Sequence, residues 1–294
     1  MKKYIFLIAF LCMAEAVCSQ NIRINTNVPV DFIKRKVYDF AKTTVLYDYE
    51  CVKDSNAVST SKRYGKTALL IGEQYWGFLD WASYQTDSLQ DALAVQGGSI
   101  GDYFNASQKM KRLNGYEAEY LYPLVVNRQT GEYTMQISAM AFTNTYQYQG
   151  QLPAMEWTLV DEEKKIEGIA CSKAECHFGG RDWIAWYSLE YSLPFGPYLF
   201  GGLPGLIVEA YDTKNHFSFK LSGISSSTME RPVYLGNHPT IIHTTREKAR
   251  QAVLNESKDV MKTMLAKQPG LAKQNGGMLL NIKRSEPYNP IELE

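Results

Sequence analysis

The sequence predicts a mainly β protein with a few helices, built on a curved antiparallel sheet whose strands follow one another as a meander. Three observations predict this fold class. The chain contains 20 Tyr, 12 Phe and 5 Trp, residue types that favour strands. Segments of alternating apolar and polar residues recur along it and are separated by short polar turns. One apolar stripe at helical spacing follows the last of these segments and predicts a C-terminal helix.

The N-terminus has the pattern of an export signal. Lys2 and Lys3 precede an apolar run over residues 4–17, and small residues lead from there to Gln20. The run is shorter than the about 20 apolar residues that a transmembrane helix needs. We therefore expect residues 1–19 to be a cleaved signal peptide, and the protein to be exported to the periplasm or cell envelope without spanning the membrane.

The rest of the chain is expected to be one unit. Residues 20–284 are long enough for a single large β-rich domain, and residues 285–294 form a polar, Pro-containing tail that we expect on the surface or loosely held. The full chain has 31 basic and 31 acidic residues, and loss of Lys2, Lys3 and Glu15 with the signal leaves a net charge of −1. Without a basic surface, nucleic acid is not an expected partner.

The exported chain is expected to contain an odd number of cysteines. Cys12 and Cys18 leave with the signal, and Cys51, Cys171 and Cys176 remain. An extended segment would place Cys171 and Cys176 about 16 Å apart, whereas a disulfide needs Cα atoms within about 7 Å. A disulfide from Cys51 to Cys171 or to Cys176 is therefore the expected pairing in an oxidising compartment, and we single out Cys51–Cys171.

The first elements alternate between strand and helix patterns. Residues 36–53 have the apolar–polar alternation of a strand, and residues 67–81 form a second, more apolar strand-like run. Residues 86–96 have Leu and Ala at helical spacing and stop at two glycines. Residues 102–113 predict a similar short helix.

A meander is expected to follow these helices. Residues 116–126 and 133–142 flank the polar loop 127–131 as a hairpin. Further short strands joined by polar turns favour antiparallel neighbours. These expected strands are residues 155–160, 166–174, 181–191, 206–211 and 216–224, with turns at residues 161–165 and 212–215.

The expected C-terminal helix begins at a capping box, since Thr244 precedes Glu247 by three residues. Its apolar stripe ends before Pro269. We assign the Met residues in it to core packing rather than to a metal or cofactor site. The stripe consists of Ala249, Val253, Val260, Met261, Met264 and Leu265.

Residues 195–207 form a loop rich in Gly and Pro, which requires unusual backbone angles or a close approach of another segment. Its backbone amides could cradle an anion. However, it lacks the Lys-Ser/Thr ending of a phosphate-binding loop, and a strand rather than a helix follows it. A structural loop is the favoured interpretation, and no cofactor is expected.

The region from Trp157 to Asp212 contains a series of motifs that ends in a Gly- and Pro-containing hexapeptide. They are Trp157-Thr158-Leu159, Lys165-Ile166, Gly168, Cys171-Ser172-Lys173-Ala174, Phe178, Gly180-Arg181, Ala185-Trp186-Tyr187, Gly196-Pro197, Phe200 and the hexapeptide Gly202-Leu203-Pro204-Gly205-Leu206-Ile207. With these residues in this order, the region resembles the GLPGLI family of exported Bacteroidetes proteins. Cys176, and Ala170 where an aromatic residue is more usual, depart from the pattern.

The resemblance implies an extracytoplasmic location and a mostly β fold, but no activity, because the family has no established biochemical role. By analogy we expect a half-barrel like that of lipoprotein-carrier proteins.

The same region supplies the candidate binding residues. On a strand, Arg181, Trp183 and Tyr187 share one face and Trp186 lies on the other. Core packing explains the aromatic residues most simply, whereas a buried Arg181 needs a partner. If the protein binds a ligand, the residues we expect to take part are Arg181, Trp183, Trp186, Tyr187, Gly202, Leu203, Pro204 and Gly205.

Two functions from different classes remain open. The first is a non-enzymatic binding or carrier module that holds an apolar ligand, a peptide or an envelope protein on the concave face of the sheet. The second is an extracytoplasmic hydrolase that uses Cys171, His177, Arg181 and Asp182, which would have to converge in three dimensions. A structural role in an envelope complex is a third possibility. The four histidines are too scattered to predict a metal site.

Overall fold

A computed structural model describes residues 26–140, 143–267 and 284–294. Twelve strands form one sheet in the order β12-β6-β5-β4-β3-β2-β1-β11-β10-β9-β8-β7. All neighbouring strands are antiparallel except β12, which is parallel to β6. The strands are β1 Arg35–Val52, β2 Lys62–Ile71, β3 Tyr75–Asp80, β4 Leu124–Asn127, β5 Glu132–Ile137, β6 Tyr146–Gln151, β7 Thr158–Ile166, β8 Ile169–Phe178, β9 Arg181–Ser188, β10 Leu206–Asp212, β11 Phe217–Gly236 and β12 Ile242–His243.

The strand order confirms the mainly β fold and the curved, open antiparallel sheet. Two meanders make up the sheet, β1 to β6 and β7 to β11. They meet where the two longest strands, β1 and β11, pair along most of their length. The fold is therefore an open sheet whose two halves are joined at its centre, and it is not closed into a barrel.

Five helices are present in the described residues: α1 Val58–Ser61, α2 Trp81–Val95, α3 Ile100–Leu113, α4 Arg246–Ser257 and α5 Val260–Lys267. Every residue of the predicted C-terminal stripe is buried, but the stripe is divided between α4 and α5. The N-cap of α4 is Thr245, whose side chain accepts from the Lys248 amide. The predicted cap at Thr244 is thus one residue early, and Pro269 lies outside the described residues. No helix among those described is long and apolar enough to cross a membrane.

The sheet buries residues on both faces. One face, here the core face, carries Tyr47, Phe78 and Phe219 and is covered by α4. The opposite face, here the helix face, carries Leu70 and Val233 and is covered by α2. Successive residues of a strand point to opposite faces, and because both faces are covered, the central strands are apolar at nearly every position.

Three predicted strands have different limits in the structure. The run 67–81 is a hairpin of β2 and β3, because the Asp39 carboxylate accepts from the amides of Gln74 and Tyr75 and stabilises a turn between them. Of the predicted strand 116–126, only β4 is regular. The predicted strand 133–142 ends at Ile137, and residues 141–142 lie outside the described residues.

The predicted turn at residues 161–165 is wrong. These charged residues belong to β7, an edge strand with a bulge between Val160 and Glu163. The turn lies at Glu167 and Gly168, both with left-handed backbone angles (φ 48° and 86°). Such a two-residue turn matches the twist of a hairpin. The last predicted strand, 216–224, is also too short, since β11 continues to Gly236.

The tail is not loosely held. Ile291 and Glu292 are buried, and the amide of Leu293 donates a 2.6 Å hydrogen bond to the carbonyl of Gly179. The expectation of a surface tail holds for Ser285, Pro287, Leu293 and Glu294, which are exposed, and is wrong for residues 290–292. The polar Glu292 is buried because side chains of the fold satisfy its hydrogen bonds.

Candidate functional site

The aromatic residues predicted to bind a ligand lie inside the fold. Trp183 and Tyr187 are buried on the core face, and the Trp183 ring lies 4.6 Å from that of Phe200 in an edge-to-face contact. Trp186 points to the other face, where Nζ of Lys164 lies 4.2 Å from the centre of its ring. Packing accounts for these three side chains, and their role in binding stays a prediction.

The glycine-rich hexapeptide leads into β10 and is held by its backbone. A Cβ atom on Gly205 would lie 1.9 Å from the carbonyl oxygen of Ser188, so only glycine fits there. Gly202 has a left-handed backbone (φ 83°). Leu203 is buried, while Gly202 and Pro204 are exposed. The arrangement explains the motif as a close approach of two chain segments.

The expected disulfide is not formed. Cys51, Cys171 and Cys176 are free and buried. Cys51 is on β1 and Cys171 is on β8, four strands away in the sheet. At about 4.8 Å per strand, roughly 19 Å of sheet separates them, well beyond the span of a disulfide. Cys51–Cys171 is therefore a wrong prediction.

The four residues considered for a hydrolase do not converge. Nδ1 of His177 and Oδ1 of Asp182 are 2.7 Å apart, but both side chains are exposed. Arg181 is buried. Cys171 precedes His177 by six positions on the same strand, which corresponds to about 20 Å. This set cannot act together at bonding distance, and a hydrolase built on it is excluded.

A cleft of about 190 Å³ lies beside α2 on the helix face. It is enclosed by α2, the segment before β4, the end of β5 and the end of β11. Among the described residues, its lining contains three carboxylates and no Lys or Arg. The lining residues are Leu79, Asp80, Ser83, Tyr84, Asp87, Glu119, Tyr120, Leu121, Pro123, Gln136, Ile137, Ser138, Thr145, Tyr234, Leu235 and Gly236.

Asp80 lies at the start of α2 and is buried. One carboxylate oxygen accepts from the Ser83 amide at 2.7 Å, which caps the helix, and the other accepts from the Tyr120 amide at 3.0 Å. Burial, with the nearby charge of Glu119, raises the Asp80 pKa to about 6. The hydroxyl of Ser83 in turn donates to Glu119 at 3.3 Å.

Asp87 lies two turns further along the same face of α2. Its carboxylate accepts a 2.7 Å hydrogen bond from the Tyr234 hydroxyl. Burial raises its pKa to about 6, although the hydrogen bond and the neighbouring Arg35 lower it. Arg35 is itself paired with Asp91 and stacked 4.7 Å from the Tyr234 ring. Asp87 therefore presents a carboxylate to the cleft, and the nearby Arg35 is already paired with Asp91.

The other polar side chains of the cleft wall include Gln136, which is held by hydrogen bonds within the protein. Gln136 is buried, and its side-chain nitrogen donates to Gln147 and to the carbonyl of Gly236, both at 2.8 Å. The Tyr84 and Tyr234 rings are stacked with centres 5.5 Å apart. Carboxylates beside aromatic rings provide the surroundings in which a cationic group is stabilised. In the described part of the chain, no three His, Cys, Asp or Glu side chains are grouped to hold a metal ion.

The sequence contains a signal for this cleft. Asp80, Ser83, Tyr84 and Asp87 have the spacing of one helix face. The predicted limits hide this pattern, because they place Asp80 in a strand over residues 67–81 and begin the helix at residue 86.

No protein-family model matches the chain, and no curated protein matches it. Among solved structures, PNGF-II is matched in two space groups, P21 and C2, with TM-scores of 0.45 and 0.46 and sequence identities of 10% and 11%. The matches cover 74% and 73% of this chain but 34% and 33% of the PNGF-II chain. The chain thus spans about a third of the length of the structures that it matches.

Proposed function

We propose that this protein is an exported binding module that holds a small cationic group in the acidic cleft. The observation that carries the proposal is a cleft whose lining presents three carboxylates, Asp80, Asp87 and Glu119, and no Lys or Arg among the described residues. Burial raises the pKa of Asp80 and of Asp87 to about 6. Burial of a carboxylate is unfavourable unless a partner compensates it. Asp80 and Asp87 already accept hydrogen bonds from the protein, and a cation in the cleft would in addition offset the charge of these two carboxylates and of Glu119.

The ligand proposed here is a cation, whereas the sequence predicts an apolar ligand, a peptide or an envelope protein. The core face is covered by the chain itself, since Tyr198, Phe200 and Leu203 are buried there together with α4. A neutral apolar ligand in the cleft would remove water from the three carboxylates and offset none of their charge. A primary ammonium or a guanidinium group would instead offset their charge, donate hydrogen bonds to them and contact the rings of Tyr84 and Tyr234.

Export to the periplasm or cell envelope belongs to the same proposal. It is supported by the signal pattern of residues 1–19, which lie outside the described residues. Expression in an exporting bacterial host, followed by N-terminal sequencing of the envelope fraction, tests it. We expect a chain that begins near Gln20. A chain that retains Met1 in the cytoplasmic fraction would contradict the proposal.

A hydrolase that uses the cleft carboxyls is the second candidate. One observation favours it: burial, with the added charge of Glu119, raises the pKa of Asp80 to about 6, and a carboxyl with a raised pKa can act as a general acid or base. Both oxygens of Asp80 are, however, committed to backbone amides. Binding is therefore the function we propose.

Matched pairs of small molecules test the binding function. Each pair consists of an amine or guanidine and a neutral molecule of the same shape, and thermal unfolding of the full chain reports stabilisation by the ligand. We expect cationic members to raise the Tm and neutral members to leave it unchanged. Equal effects of both members across the set would contradict the proposal.

A further inference from the structure

The last residues of the chain lie in a groove at the end of the sheet. The segment 289–294 has no regular secondary structure, yet three arginines from two elements hold it: Arg181 on β9 and Arg246 and Arg250 on α4. We call the surface formed by these arginines, Tyr198 and Gly179 the tail groove. It is separate from the acidic cleft, whose lining includes none of these residues.

Arg181 uses its full donor capacity in the tail groove. A guanidinium has five N–H donors, and five acceptors surround this one. Two belong to the end of β10 and the turn after it: Oδ2 of Asp212 and Nδ1 of His216, both at 3.1 Å. The other three belong to the tail: Oδ1 of Asn289 at 2.8 Å and the carbonyls of Pro290 at 2.7 Å and Ile291 at 3.0 Å.

The tail is thus recognised mainly through its backbone and through one amide side chain. Nδ2 of Asn289 also donates to the carbonyl of Val52 at 2.7 Å, and the Leu293 amide donates to Gly179. A Cβ atom on Gly179 would come within 2.8 Å of the Glu292 side chain. These contacts are those by which a protein recognises an extended peptide.

Glu292 provides charge complementarity. Its buried carboxylate contacts Arg246 and the hydroxyl of Tyr198 and lies 3.5 Å from Arg250. Tyr198 has a left-handed backbone (φ 56°), a conformation that is strained for a bulky residue and that is found at functional sites. Burial raises the pKa of Tyr120, and the charge of Glu292 adds to this shift; the Tyr120 hydroxyl has no hydrogen-bond partner in the described part of the chain.

We propose that the tail groove is a peptide-binding site that the chain's own C-terminus occupies. The partner is a protein that presents an extended segment with Asn, Pro, an aliphatic residue and an acidic residue in that order. Such a segment would reproduce each contact of residues 289–292. The tail is suited to displacement, because it pairs with no strand of the described sheet and its buried apolar side chains among residues 289–294 are Pro290 and Ile291 alone.

The test uses the full chain and a labelled peptide with the sequence of residues 285–294. In the wild type, the attached tail competes with the peptide at a high effective concentration. Asn289→Ala in the chain removes two tail contacts and leaves the groove intact. We expect it to raise the affinity for the labelled peptide at least tenfold, and Glu292→Gln in the peptide to lower that affinity at least tenfold.

Other results would overturn the proposal. If the Asn289→Ala chain folds but binds the tail peptide no more tightly than it binds a scrambled peptide, the tail is a permanent part of the fold and the proposal is wrong. If that variant does not fold, hydrogen exchange of wild-type Leu293 decides: an amide that exchanges only with global unfolding contradicts displacement, and faster exchange supports it. Concentration-dependent dimerisation of the wild type without peptide would contradict a separate partner protein, because a second copy of the chain would then occupy the tail groove.

Discussion

The hydroxyl of Tyr234 on β11 donates a 2.7 Å hydrogen bond to the carboxylate of Asp87 on α2. This contact joins the helix to the sheet at the wall of the acidic cleft. Burial raises the pKa of both groups, that of Asp87 to about 6. The fold therefore keeps a carboxylate where its ionised form is unfavourable, as binding sites often do.

The stability of the protein should depend on the protonation of Asp87. Its folded pKa of about 6 lies above the unfolded value of 3.8, so the folded state binds the proton more tightly. This contribution is complete below about pH 4 and is lost as the pH rises through 6. Asp87→Asn should raise the free energy of unfolding at pH 7.5 by about 1–2 kcal/mol.

Urea unfolding at pH 7.5 and at pH 4.5 measures this effect. The gain from Asp87→Asn should fall to about a third at pH 4.5, where Asp87 is protonated in the folded wild type but still largely ionised in the unfolded chain. Glu132→Gln removes an exposed carboxylate outside the cleft and serves as the control, with changes below about 0.5 kcal/mol. An equal gain at both pH values would argue against a perturbed Asp87.

The two glycines of the hexapeptide should respond differently to substitution. In Gly205→Ala the new methyl group would lie 1.9 Å from a backbone oxygen of Ser188, so we expect a loss of at least about 3 kcal/mol or failure to fold. At Gly202 no atom lies within 4 Å of the position of a Cβ, and only the left-handed backbone opposes alanine. Gly202→Ala should cost roughly 1 kcal/mol. Comparable losses would show that the segments are not in close contact.

The cysteines should be thiols that react only when the protein opens. Burial raises the pKa of Cys171 to about 11 and that of Cys176 to about 12, which keeps both protonated at neutral pH. We expect a colorimetric thiol reagent to react slowly with the native, signal-free chain and to count three thiols after denaturation. A count of one thiol would mean that the other two cysteines form a disulfide, contrary to the structure.

Arg181 should be essential for the position of the tail. Arg181→Lys keeps a charge opposite Asp212 but retains at most three donors in place of five. Breaking such a buried network costs about 3 kcal/mol or more. Hydrogen exchange should show the amides of residues 291–293 losing protection before those of β9. Unchanged protection of these amides would mean that Arg181 does not hold the tail.

Much of the sheet could be predicted from alternation. The strand 36–53 differs from β1 by one residue at each end, and 206–211 differs from β10 by one residue. Alternation failed for β7, because an edge strand with charged residues on both sides has no apolar period and its charges protect the edge. The position of the turn at Glu167 and Gly168 depends on pairing with β8, which a local pattern does not contain.

The tail and the cleft depend on contacts between distant residues. The sequence indicated that a buried Arg181 needs a partner, but Asn289 and Ile291 are more than 100 positions away. In the cleft, Asp87 is 147 positions from Tyr234. Spacing could have placed Asp80 and Asp87 on one helix face, but the strand that closes the cleft is determined by the pairing of β1 with β11.

Calorimetric titration of a cationic ligand into the full chain at pH 7.5 tests the central proposal most directly, using the best amine or guanidine from the matched set. We predict binding to the wild type and to Glu132→Gln with the same Kd, and at least tenfold weaker binding to Asp87→Asn. Equal affinity of the wild type and Asp87→Asn, or binding of the neutral molecule as tightly as the cation, would contradict a cation site in the acidic cleft.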